Sequence, residues 1–268
     1  MSTEWVFQNA PPWLLLLLLF GSMALASELG GWLHKRARLR ATDAIDKEAE
    51  GYILSGVLGL LALLVAFTFG MSLSRYDVRR ELVVKEATAL TTAYLRTSLL
   101  EEPGRLRALM HQYAQVRLEF GLTGGERGRA ADRKALAMQP IIWAEAVKLV
   151  QPARQTPLPQ FVLAPLNEAF DTATARRTAL AARLPGNVLL TLVLYLIASA
   201  ALLGFAVAGA NWRLRVATLA LFALFSLALG VIIDLDEPRR GPVPVPQWAM
   251  AETVRLMAGE FPLTAPEP

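Results

Sequence analysis

Four stretches of this chain, Trp13 to Leu33, Tyr52 to Leu73, Asn187 to Ala208 and Arg215 to Ile233, are each long and apolar enough to cross a bilayer. A hydrocarbon core about 30 Å thick needs roughly 20 apolar residues of helix. Inside lipid the backbone must satisfy its own hydrogen bonds, so each stretch is expected to be α-helical. The first follows Pro11 and Pro12, which suit a helix start, and carries Trp13 and Trp32 at interfacial positions. Its ALAS motif, Ala24 to Ser27, resembles a signal-peptidase site. The segment before it has Glu4 and no Lys or Arg, and the apolar run continues through Leu29 to Leu33, so retention as an anchor is expected.

Hydrophobic residues make up 54% of the chain and charged residues 19%, which separates it from ordinary soluble and disordered classes. With no cysteine and two histidines, His34 and His111, it offers no disulfide framework and no usual zinc ligand set, and no cofactor is expected. The formal charge of +4 lies in clusters beside apolar segments, which suits lipid headgroups and gives no reason to expect nucleic-acid binding. An enzyme is not expected. No Ser-His-Asp grouping or phosphate-binding loop is recognisable, and TGGERG, Thr123 to Gly128, lacks the flanking strand of a phosphate site. In NEAFD, Glu168 and Asp171 share a helix face and are expected to cap or to pair with Arg176 or Arg177.

Between the second and third spans lies a polar region, Ser74 to Pro185. Val78, Leu82, Ala89, Thr92 and Leu99 recur at helical spacing with no Gly or Pro between them, which predicts that the second span continues as one long helix ending before Pro103. An amphipathic helix over Arg105 to Phe120, two more near Ala131 to Val150 and Gln160 to Leu184, and a short one near Trp248 to Met257 after GPVPVPQ complete the pattern. Nothing alternates with period two, so no sheet is expected. The fold class is an all-α membrane protein with four transmembrane helices and a helical extramembrane region between the second and third. Its divisions are 1–73, 74–185, 186–233 and 234–268.

An even number of spans brings the ends of the second and fourth to one side of the membrane. There the sequence places Arg75, Asp77, Arg79 and Arg80, and then Asp234, Asp236, Arg239 and Arg240. Two uses are open: a structural ion-pair collar, the commoner case for such charges, or a direct role in moving ions. The short loops on the other side contain HKRARLR and WRLR, which by the positive-inside rule leans the helical region away from the cytoplasm. Within the second span, Gly51, Gly56, Gly59 and Gly70 permit close helix contact, and Leu63 and Phe67 lie one turn apart. The glycines serve packing within one subunit, or several copies surround an axis with Leu63 and Phe67 as a hydrophobic constriction. Glu28, near the end of the first span, is expected to reach toward Lys35 or Arg36.

Three stretches together, LGLLALLVAFTFGMSLSRYDVRRELVVKEATALTTAYLR, PLNEAFDTATARR and IIDLDEPRRGPVPVPQ, resemble the bestrophin-like domain family over most of the chain. A weaker similarity reaches bestrophins, pentameric ion channels with four membrane helices and a cytoplasmic helical domain. The resemblance implies a homo-oligomer, pentameric by analogy, in the lipid bilayer of a cell membrane, with a second-span pore face at Gly59, Leu63, Phe67 and Gly70. Phe67, Arg75 and Arg80 match a Phe-Arg-Arg spacing of that span. Gly59 stands at a neck position where a side chain is usual, Tyr76 and Asp77 replace tryptophans, and DLDEPRRG lacks a recognisable calcium clasp, so calcium gating is not carried over. The permeant ion stays open. The alternative function is a non-conducting scaffold or sensor that binds a partner through its helical region.

Overall fold

The computed structural model describes residues 12–38, 47–209, 211–237 and 243–259. Among these residues there are eight α-helices and no strand: α1 (Pro12–Arg38), α2 (Lys47–Arg96), α3 (Gly104–Leu122), α4 (Gly125–Val150), α5 (Leu158–Ala181), α6 (Gly186–Ala206), α7 (Trp212–Asp236) and α8 (Trp248–Ala258). The chain forms two compact units, residues 1–74 with 183–237, and 75–182 with 238–268. The 50-residue helix α2 supplies residues to both.

The first unit holds the apolar helices. Leu61, Leu196, Phe222 and Ile232 are almost wholly buried in its core, and α1 packs along α6 and against α7. Glycine makes the first of these contacts possible. A Cβ at Gly204 would stand 1.9 Å from the Ser27 carbonyl oxygen, and one at Gly30 would stand 2.0 Å from that of Ala201. Backbone therefore meets backbone, the contact that small residues allow between membrane helices. The glycines singled out from the sequence are not used this way. Gly51, Gly56, Gly59 and Gly70 have no atom within 4 Å of an added Cβ. At the start of α7, the Asn211 side chain accepts from the Leu214 amide and satisfies one of the helix's orphan donors.

The second unit packs α3 against α4 and α8, and α4 against α5. Its core includes Leu90, Leu106, Tyr113, Ile142 and Met250. Helix α4 begins six residues before the expected Ala131, because the glycine-rich turn is spent within Thr123 and Gly124. Gly125 takes φ of 61°, and Glu126 then favours the positive end of the new helix. Arg129 and Arg133 both pair with that carboxylate, at 2.8 and 3.0 Å. Helix α5 starts at Leu158 and stops at Ala181, short of the expected Leu184. The buried face of α2 agrees with the expected one at Ala89 and departs from it at Val78, which is exposed, while Val83, Glu86, Leu90 and Ala93 are buried. Helix α8 is fastened by Thr253, whose hydroxyl lies 3.0 Å from that of Thr91, and by the Tyr94 hydroxyl donating to the Met257 carbonyl.

Candidate functional site

The apolar half of α2 has two faces of different character. Leu61, Thr68 and Ser72 are buried, at positions that fall on one side of a 3.6-residue helix. The Thr68 hydroxyl turns back to donate to the Leu64 carbonyl, which removes a polar group from the interface. On the opposite side lie Gly56, Gly59, Leu63, Phe67 and Gly70, all exposed. Leu63 is 50% and Phe67 66% accessible, and the glycines before and after them, Gly56, Gly59 and Gly70, face open space. A contiguous apolar stripe of this kind on a subunit surface needs lipid or protein to cover it. Chemically it can form a dry, non-titratable wall.

Two of the boundary charges meet backbone groups. Arg79, buried, donates from Nε to the Ala179 carbonyl at 3.1 Å and from Nη2 to the Ala182 carbonyl at 2.7 Å, taking up acceptors at the end of α5. Arg75 is half-buried, while Asp77 and Arg80 are exposed. Asp236, buried at the end of α7, accepts from the Leu184 amide at 3.1 and 3.0 Å and so ties that end to the chain entering α6. Asp234 is half-buried. Beside them Glu237 takes a two-pronged contact from Arg183, at 2.5 and 3.1 Å. Arg239 and Arg240 lie outside the described residues.

A second group of charges centres on a residue that sequence reasoning did not single out. Glu86, fully buried on α2, accepts from both Arg117 of α3 and Arg176 of α5. Arg176 also donates to the Gln247 side-chain oxygen at 2.6 Å, and Gln247 donates in turn to the Val245 carbonyl. Asp132 of α4 approaches Arg117 at 3.7 Å, and Phe120 lies under both guanidiniums, 4.6 Å from Arg117 and 5.7 Å from Arg176. For Arg117, burial works to lower the pKa, but Glu86 outweighs it and the net direction is up. For Arg176, burial prevails over the attraction of Glu86 and the direction is down. One carboxylate thus organises four helices' worth of polar contacts. The signal was legible: Glu86 sits three residues after Val83 and four before Leu90, a charge inside an apolar stripe.

Two expected pairings do not form as anticipated. Asp171 accepts from Asn167 at 2.8 Å, while Arg176 goes to Glu86 and Arg177 to Asp132 at 4.0 Å. Glu28 makes no ion pair with Lys35 or Arg36 among the described residues. Arg36 instead stacks over Trp32 at 4.2 Å.

A family model described as the Bestrophin-like domain matches residues 21–250. No curated protein matches the chain. Among solved structures, a bacterial bestrophin homologue from Klebsiella pneumoniae superposes with a TM-score of 0.69 at 15% sequence identity, over 93% of this chain and 99% of that one. A variant of a bestrophin homologue from the same organism gives 0.68 at 15% identity, over 93% and 100%. A crystallised membrane protein variant gives 0.70 at 15% identity, over 92% and 99%. At such identities the likeness is one of fold.

Proposed function

This chain belongs to the bestrophin-like domain family, and we propose that several copies of it surround a common axis in a cell membrane and conduct ions, with α2 lining the path. The exposed stripe of α2 carries this proposal. Gly59, Leu63, Phe67 and Gly70 form an apolar face that the subunit itself leaves uncovered, and copies of one chain arranged about an axis cover such a face with itself. By analogy with bestrophins the number of copies is five.

Leu63 and Phe67, one turn apart, then form a hydrophobic constriction that gates by excluding water. Gly59 adds no side chain, so the narrow part is short. The boundary residues support the same arrangement from within each unit. Asp236 fixes the end of α7 to the entry of α6, and Arg79 fixes α2 to the end of α5, which holds the rotation of α2 about its axis.

Reconstitution into a planar bilayer under asymmetric salt tests the proposal. Current is expected, and Phe67→Ala should raise it by roughly tenfold, the effect of removing about 1.4 kcal/mol from a dewetting barrier. A protein that stays monomeric across mild detergents and nanodiscs excludes the axis and the pore together. A silent but intact ring favours the scaffold function, for which the helical unit exposes apolar side chains such as Leu122 and Ile141.

A further inference from the structure

Within the first unit, α1 and α7 face each other across an open cavity of about 400 Å³ beside the end of α6, a size usual for small-molecule sites. Three charged side chains line it. Glu28 and Lys35 stand seven residues apart on α1, two turns along the same face, and Arg215 comes from the first turn of α7. None of them forms an ion pair with another described residue. Ser27 and Thr218 add hydroxyl groups. Glycines line its wall: Gly204 packs against the Ser27 backbone, and an added Cβ at Gly31 would meet only the Gly204 carbonyl oxygen, at 3.5 Å.

The position along the helices restricts the occupant. Ala24 lies one turn nearer the middle of α1 than Glu28, and Leu219 one turn further into α7 than Arg215, so the cavity's inner end is apolar. Trp32, held beneath Arg36, is the interfacial type of residue. The site therefore opens along apolar helix surface at one end and carries charge of both signs at the other. Two cations with one anion match a ligand that presents a phosphate and an ammonium together. A primary ammonium can donate to Glu28, whereas a quaternary one has no N–H to donate.

The geometry points to a binding site for a phospholipid with a phosphoethanolamine headgroup, its phosphate between Lys35 and Arg215, its ammonium on Glu28, and its acyl chains leaving past Ala24 and Leu219. This site is independent of conduction, and its test does not use current.

Delipidated full-length protein, titrated with dioleoyl phosphatidylethanolamine and with the phosphatidylcholine of identical chains, is counted for bound lipid by native mass spectrometry. The two lipids differ only in methylation of the ammonium. The ethanolamine lipid should bind roughly tenfold more tightly, the worth of one charge-assisted hydrogen bond of about 1.4 kcal/mol. Glu28→Gln should abolish that preference without weakening the choline lipid. Arg215→Gln should weaken both, and Gly31→Leu, which fills the cavity without changing charge, should remove both.

Equal binding of the two lipids by the wild-type protein overturns the proposal and requires no variant to fold. It is also overturned if Glu28→Gln leaves the preference intact in a protein that melts normally, or if dioleoyl phosphatidylglycerol outcompetes the ethanolamine lipid. Displacement of the lipid by glycerophosphoethanolamine, which has no acyl chains, at similar concentration would instead assign the cavity to a soluble zwitterion and overturn the lipid.

Discussion

Glu86 is a single carboxylate shared by two buried guanidiniums, and removing its charge leaves both cations in a poorly hydrated site. Breaking a buried pair by deleting one partner costs about 3–5 kcal/mol. Glu86→Gln should therefore lower the melting temperature of the solubilised protein sharply. Glu126→Gln, which removes the exposed pair with Arg129 and Arg133, should leave it unchanged, since such surface pairs contribute little. Tyr113 reports on the same interior through pH. Burial, the largest influence, pushes its phenol up to about 12, with Arg117 and Arg176 working against that shift. Its hydroxyl accepts from Gln139 at 3.0 Å. In the unfolded chain the phenol ionises near 10. The folded state keeps the proton over the interval, so this contribution is complete below about pH 10 and is lost as the pH rises toward 12. Its size is on the order of 2–3 kcal/mol. Melting curves from pH 9 to 12 should fall less steeply for Tyr113→Phe than for the wild type.

At the scale of elements, glycines with the same sequence appearance have opposite consequences. Gly204 and Gly30 hold α1 and α6 in backbone contact, where a methyl group would overlap a carbonyl oxygen at 1.9 and 2.0 Å. Overpacking a fixed interface costs about 1–3 kcal/mol, and a carbonyl cannot step aside as a side chain does. Gly204→Ala should destabilise the folded subunit by an amount at the top of that range, read from thermal unfolding in detergent. Gly56→Ala, with open space around it, should leave subunit unfolding unaltered. Gly121 is the counterpart in the helical unit. A Cβ there would stand 2.1 Å from the Gln247 oxygen and 2.4 Å from Arg176 Nη2, so the residue's smallness is what admits the hydrogen bond that holds the C-terminal segment.

For the molecule as a whole, the open matter is sidedness. The short loops carry HKRARLR and WRLR, and charge of that sign is retained on the cytoplasmic side. Arg79 and Arg176, which add to the count on the opposite side, are buried and hydrogen-bonded in the folded protein, so their presence there follows from packing more than from orientation. With the chain free of cysteine, Thr123→Cys should label with a membrane-impermeant thiol reagent in intact cells, and Thr42→Cys should not. The reverse pattern would establish the orientation implied by the bestrophin resemblance.

The sequence by itself determined the fold class, the four spans, the continuation of α2 past the apolar segment and the family. All of these rest on apolar length and periodicity, which are local quantities, and on motifs that survive as contiguous text. Periodicity put Leu63 and Phe67 one turn apart on α2, and the family resemblance implied that Gly59 and Gly70 share their face. Only the tertiary structure decided that this side is left uncovered, that Gly30 and Gly204 rather than the glycines of α2 make the close crossing, and that Glu86 gathers Arg117, Arg176 and, through Arg176, Gln247. The contacts gathered by Glu86 join groups 31, 90 and 71 residues apart in the chain. A pattern of period 3.6 tells which residues share a face, whereas the neighbour that the face meets is fixed by how separate helices pack, and no local spacing encodes that.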